Sequence, residues 1–193
     1  RRVTISDQSG KSNILFKARE LGIDLSGKED AVTPILSKIK ALEDRGFQFE
    51  GAEGSLQLVI EEACGTYKPF FNLKGFRIIS EKKEGSDETV CEASIKVEVN
   101  GQTAHTAANG TGPVGALDAA LRKALEQFYP EIREVHLTDY KVRVLDEKAG
   151  TGAPVRVLIS QKRREEDWGT VGVSENIIEA SWQALVDGIE YML

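Results

Sequence analysis

Ala107-Ala108-Asn109-Gly110-Thr111-Gly112-Pro113-Val114-Gly115-Ala116-Leu117-Asp118-Ala119-Ala120-Leu121 decides the fold, because its setting returns in weaker form at Trp168-Gly169-Thr170-Val171-Gly172-Val173-Ser174-Glu175-Asn176-Ile177-Ile178-Glu179-Ala180-Ser181-Trp182. In both places an extended segment passes through a glycine-containing turn into an amphipathic helix, after strands of similar length. The chain therefore reads as internally duplicated. Two related units can pack about a pseudo-twofold axis with two helix starts near one seam. A helix start presents unpaired N–H groups and partial positive charge, which suits a small ligand bearing a carboxylate.

Working outward, Phe71–Glu81, Val90–Val99 and Thr103–Ala107 carry alternating, β-branched strand patterns, with turns at Gly85-Ser86-Asp87 and at Asn100-Gly101. A helix follows from Pro113 to about Phe128 and is stopped by Pro130. Val135–Leu145, Val155–Gln161 and Trp168–Val173 form a second strand set, with turns at Gly150-Thr151-Gly152 and Glu165-Glu166-Asp167, and a last helix spans Ser174 to about Tyr191. Residues 1–64 read as three helices. The first starts near Ser9-Gly10 and closes on Gly22, the second runs from Thr33-Pro34 to Asp44, and the third from Ala52 to Ala63. The expected fold is α+β: a helical linker subdomain over 1–64, then a duplicated βββα domain over 65–193, with repeats of about 65–130 and 131–193.

Composition restricts the function classes. The 193 residues are 40% hydrophobic and 29% charged, as in globular domains, and the net charge of −6 argues against nucleic-acid or anionic-membrane binding. The one basic run, Lys162-Arg163-Arg164, is followed at once by Glu165-Glu166-Asp167 and reads as a solvated hairpin tip. Two cysteines, Cys64 and Cys91, have no metal-type or framework spacing, so a reducing cytoplasm is expected. No apolar run reaches membrane-spanning length. The opening Arg1-Arg2-Val3 has neither initiator Met nor signal-peptide character, so the chain is expected to begin within a longer protein.

Catalytic motifs are missing. Gly110-Thr111-Gly112-Pro113-Val114-Gly115 matches G-x-G-x-x-G, but the preceding strand looks antiparallel, and Asp139 lies inside the next strand instead of at its end, both against a dinucleotide site. Pro113 in the first turn, with Thr111 or Asn109 near the cap, equally describes a structural helix entry. His105 and His136 have no second ligand at metal spacing, no carboxylate pair stands out, and G-x-S-x-G does not occur. No catalytic residue, metal site or cofactor is expected in this chain.

These residues resemble the regulatory portion of the 2-isopropylmalate synthase and citramalate synthase family. Gly110-Thr111-Gly112-Pro113-Val114-Gly115-Ala116 is similar to the family's G-x-G-P-h-x-A turn. Asp139-Tyr140 and Trp168–Val173 leading into Ile177-Ile178-Glu179-Ala180-Ser181 follow in the family's order. Ser6-Asp7-Gln8-Ser9-Gly10-Lys11-Ser12-Asn13 and Phe49–Ser55 resemble its helical linker, the first most like the citramalate synthase branch. The resemblance implies a homodimeric domain that binds an end-product amino acid and inhibits a catalytic barrel in the same full-length chain. That barrel would use a divalent metal and condense acetyl-CoA with a 2-oxo acid, and it is absent here. Isoleucine is the expected effector and leucine the alternative. Position by position, the effector would lie near Thr111, Val114 and Gly115, beside Leu137, Tyr140 and Val144, with Val173 from the second repeat. Two other readings stay open: a dimerisation module without a ligand, and a dinucleotide-dependent enzyme.

Overall fold

The hairpin signal at Asn100-Gly101 folds as its chemistry requires. In the computed structural model, which describes residues 10–193, Asn100 (φ 49°) and Gly101 (φ 80°) join β2 (Thr89–Val99) to β3 (Gln102–Gly110) in a tight turn with two positive φ values. β1 (Asn72–Lys82) pairs antiparallel along the other edge of β2, giving the order β1-β2-β3. Cys91, Ala93, Ile95, Val97 and Val99 alternate inward along β2. They meet α4 (Pro113–Leu125), which buries Ala116, Leu117, Ala120, Leu121, Ala124 and Leu125. Helical and strand periods thus match on one apolar layer.

A second three-stranded antiparallel sheet, β4 (Val135–Val144), β5 (Val155–Arg163) and β6 (Glu166–Ser174), is followed by α5 (Ile177–Met192). The duplication is stricter than the sequence suggested. Gln102 and Glu166, Gly110 and Ser174, and Pro113 and Ile177 are each 64 residues apart, so β3 and β6 begin and end in step and α4 and α5 begin in step. One tertiary hydrogen bond repeats at the same offset. Thr106 donates from Oγ1 to the Ala120 carbonyl at 2.8 Å, and Thr170 donates to the Ala184 carbonyl at 2.6 Å.

The chain divides into two compact units. One holds residues 69–136 with 163–165, and so contains the first sheet and α4; the other holds the residues up to 68 with 137–162 and 166–192. In this second unit β6 is covered on both faces. Trp168, Thr170 and Gly172 of β6 face α5: Trp168 Nε1 donates to the Gly188 carbonyl at 3.0 Å, and a Cβ on Gly172 would overlap the Ala180 carbonyl. Val171, on the opposite face, joins the core of the helical segment with Ile14, Ile35, Ile39, Leu56 and Ile60. All six residues Trp168–Val173 are buried for that reason. The helical segment completes its core on this sheet.

The helices are α1 (Lys11–Glu20), α2 (Glu29–Asp44) and α3 (Glu53–Ala63). Gly22 at φ 76° closes α1 as expected. The Ser6-Asp7-Gln8-Ser9 part of the linker motif lies outside the described residues. α2 starts earlier than expected, placing Pro34 inside the helix. Val32, 1% exposed, lies about one turn before Ile35 and Leu36 and extends the apolar stripe backwards. The second βββα hairpin also departs from the reading. Its turn is Arg164-Glu165, with Arg164 at φ 55°, and β6 already begins at Glu166. Arg163 and Arg164 pair with Glu134 at 3.2 and 3.0 Å, so a residue outside the hairpin answers the basic run.

Candidate functional site

The two helix starts differ in how their N–H groups are met. α5 is capped by a side chain: Asn176 Oδ1 accepts from the backbone N–H groups of Ile178 (2.9 Å) and Glu179 (3.3 Å), while Ser174 Oγ accepts from Asn176 N–H at 3.1 Å. α4 has no such cap. Its N-cap is Gly112, extended at φ −151° and ψ 174°, and no side chain bonds the first turn. Neither Thr111 nor Asn109 is therefore the cap. The chain stays extended through Gly112, one residue past Thr111, and a glycine N-cap has no side-chain oxygen to offer. Gly110 is held against the Ala116 backbone so closely that a Cβ would overlap it, which draws the turn over the helix start. The result is a positive helix end, at Pro113-Val114-Gly115, that an anionic group can approach.

Thr111, Val114 and Gly115 belong to the unit holding the first sheet; Leu137, Tyr140, Val144 and Val173 belong to the other. Thr111 and Gly115 are exposed and Val114 is half-buried. Within the other unit, Tyr140 faces α5: its hydroxyl donates to Ser181 Oγ at 2.8 Å, and Ser181 in turn donates to the Ile177 carbonyl at 2.7 Å. Strand alternation puts Val144 on the same face and Leu137 on the opposite one. Val173 is buried on the helical-segment face, where a Cβ added to Gly46 would meet it in van der Waals contact. Leu137 and Val144 stay exposed, at 37% and 45%.

The dinucleotide reading finds no support in the topology. β3 closes an antiparallel meander, and α4 leads through a 3₁₀ turn (Pro130–Glu134) into a different sheet, so no parallel βαβ crossover surrounds the glycine turn. His105 and His136 are exposed on separate strands, and among the described residues no three His, Cys, Asp or Glu side chains are grouped to hold a metal ion.

One polar constellation escaped the sequence reading. Ser55 of α3 accepts the Val171 N–H at 2.9 Å and donates to Asp187 Oδ2 of α5 at 2.6 Å, joining helical segment, sheet and final helix in one relay. Burial raises the Asp187 carboxyl to about 7; the Ser55 hydrogen bond opposes that rise, and the neighbouring Glu190 and Glu62 add to it. Burial also raises the Tyr67 phenol, with Glu190 and Asp187 adding to the effect. Nothing local marks Ser55 or Asp187, which are 132 residues apart.

Residues 50–193 match the model of the LeuA allosteric (dimerisation) domain. The chain belongs to that family. It is 54% identical over 192 residues to a protein named (R)-citramalate synthase from Geobacter sulfurreducens and 47% identical over 193 residues to one of the same name from Aquifex aeolicus. A 2-isopropylmalate synthase from Methanocaldococcus jannaschii is 25% identical over 199 residues. Each match covers all of this chain but only 35–37% of the relative, so the LeuA-domain chain spans little more than a third of the length of these curated relatives. Among the described residues no helix is long and apolar enough to cross a membrane.

Proposed function

We propose that this LeuA domain is the effector-binding and dimerisation part of a citramalate synthase, with isoleucine as the feedback inhibitor. The observation that carries the reading is the contrast between the two helix starts. The α5 N–H groups are occupied by Asn176, whereas those of α4 are left to a ligand carboxylate beside Thr111, Val114 and Gly115. Tyr140 and Val144, on one face of their sheet, are the proposed apolar contacts; Leu137 and Val173 lie on its other face and are left out of the proposed site. Burying an aliphatic side chain would contribute about 1.5 to 3 kcal/mol. The greater identity to the citramalate synthases than to the 2-isopropylmalate synthase favours isoleucine over leucine. Condensation of acetyl-CoA with a 2-oxo acid, and the divalent metal it would use, belong in this reading to a barrel outside the chain. The protein acts as a homodimer in the reducing cytoplasm.

Unfolding followed with isoleucine, leucine, valine and NAD tests this directly. A ligand at 100 times its Kd adds about 2.7 kcal/mol, so isoleucine should raise the unfolding midpoint and NAD should leave it unchanged. Tyr140→Ala should weaken the isoleucine response, and Tyr140→Phe, which keeps the ring, should retain most of it. Unchanged affinity in Tyr140→Ala removes Tyr140 from the site. A chain that responds to no amino acid refutes effector binding and leaves dimerisation as the domain's role.

A further inference from the structure

In the unit built on the second sheet, Leu145 N–H donates to the Pro154 carbonyl at 2.9 Å. Two residues back along β4 and two forward along β5, this antiparallel register sets Arg143 directly opposite Arg156. Two like charges facing each other across a ladder are destabilising unless something offsets them. Among the described residues neither arginine is paired with an acid. Arg156, half-buried, is fixed by neutral acceptors: its Nε donates to the Gly46 carbonyl at 2.7 Å and Nη1 to Gln48 Oε1 at 3.0 Å. Those two bonds use part of a five-donor guanidinium and hold the rest in place. Both arginines line an open cleft of about 950 Å³ together with Lys148 and a single carboxylate, Asp146. Asp146 is engaged in its own turn, accepting from Lys148 N–H at 3.1 Å. Among the described side chains the charged lining is three cations against one anion, in a chain whose net charge is −6.

We infer that the Arg143–Arg156 cleft is a binding site for a phosphate dianion, either free or carried by a small metabolite. Two facing guanidinium groups match a dianion and exceed what an amino-acid carboxylate would neutralise. Paired guanidinium groups also suit the oxygen geometry of phosphate. Burial and the facing Arg143 both push the Arg156 guanidinium below its usual range, the direction that a bound anion would reverse. The cleft has room beyond one phosphate for the rest of a small metabolite. It shares Val144 with the proposed effector contacts, but its cations call for a phosphate, whereas that reading places an amino-acid carboxylate at the α4 start.

The test is titration of the chain with inorganic phosphate and with phenyl phosphate, at ionic strength held constant with sodium chloride, followed by calorimetry and by tryptophan fluorescence during unfolding. Both anions should bind saturably in the millimolar range or tighter. Tighter binding of phenyl phosphate assigns the site to a phosphorylated metabolite, and equal binding assigns it to the free anion. Arg143 is exposed and bonds no backbone group in the cleft, so Arg143→Gln should fold. It should weaken phosphate binding by on the order of tenfold, and should be more stable than the parent chain in phosphate-free buffer because the like-charge pair is gone. Arg156→Gln should also lose binding. Absence of saturable binding, or Arg143→Gln binding phosphate as the parent does, overturns the proposal.

Discussion

Replacing Asp187 by Asn should stabilise the unit around the second sheet at pH 8 and leave it nearly unchanged at pH 4. Asp187 donates nothing when ionised, and it lies among Ser55 and Glu62 of α3, Tyr67, and Glu190 of its own helix. Its carboxyl titrates at about 7 in the folded chain against 3.8 as the ordinary value. The folded state therefore holds a proton that the unfolded chain has released, so stability falls as pH rises from about 4 to about 7 and stays low above that. At about 1.4 kcal/mol per pKa unit, the full difference is on the order of 4 kcal/mol. The side chain keeps a little solvent access, so between about 2 and 4 kcal/mol is the expected range. An Asn amide oxygen can still accept the Ser55 hydrogen bond without carrying charge. Urea unfolding followed by tryptophan fluorescence suits the experiment, since Trp168 and Trp182, the two tryptophans of the chain, both lie in this unit. Other carboxylates titrate as well, so the quantity to compare is the difference between parent and variant at each pH. A difference that stays constant from pH 4 to pH 8, or a variant less stable than the parent at pH 8, would refute the reasoning.

Two further substitutions probe the same unit. Gln161 is fully buried and its amide has no hydrogen-bond partner among the described residues, so Gln161→Met should stabilise by about 1 to 3 kcal/mol in the same urea assay. Loss of stability there would show that the amide is satisfied. Asn176→Ala removes the α5 cap and should cost about 1 kcal/mol, read as a lower urea midpoint with an unchanged slope.

What the sequence by itself determined is whatever depends on short spacings. Alternation along Val90–Val99, the Asn100-Gly101 turn and the apolar stripe of Ala116, Leu117, Ala120 and Leu121 are written within one strand, one turn or one helix, and their repetition 64 residues later shows the duplication. The glycine turn before Pro113 could be read as a helix entry for the same reason, with Thr111 next to the Gly112 cap. Tertiary structure decided the features that join distant positions. Trp168–Val173 reads as an ordinary strand. Only the packing of α5 on one face and of the helical segment on the other explains why every residue in it is buried. Arg143 and Arg156 are unremarkable basic residues until the β4–β5 register sets them face to face. Ser55 and Asp187 meet across 132 residues because α3 closes on β6 and α5. Local periodicity carries no information about which sheet face receives which helix. That choice follows from how much apolar surface the whole chain can cover at once.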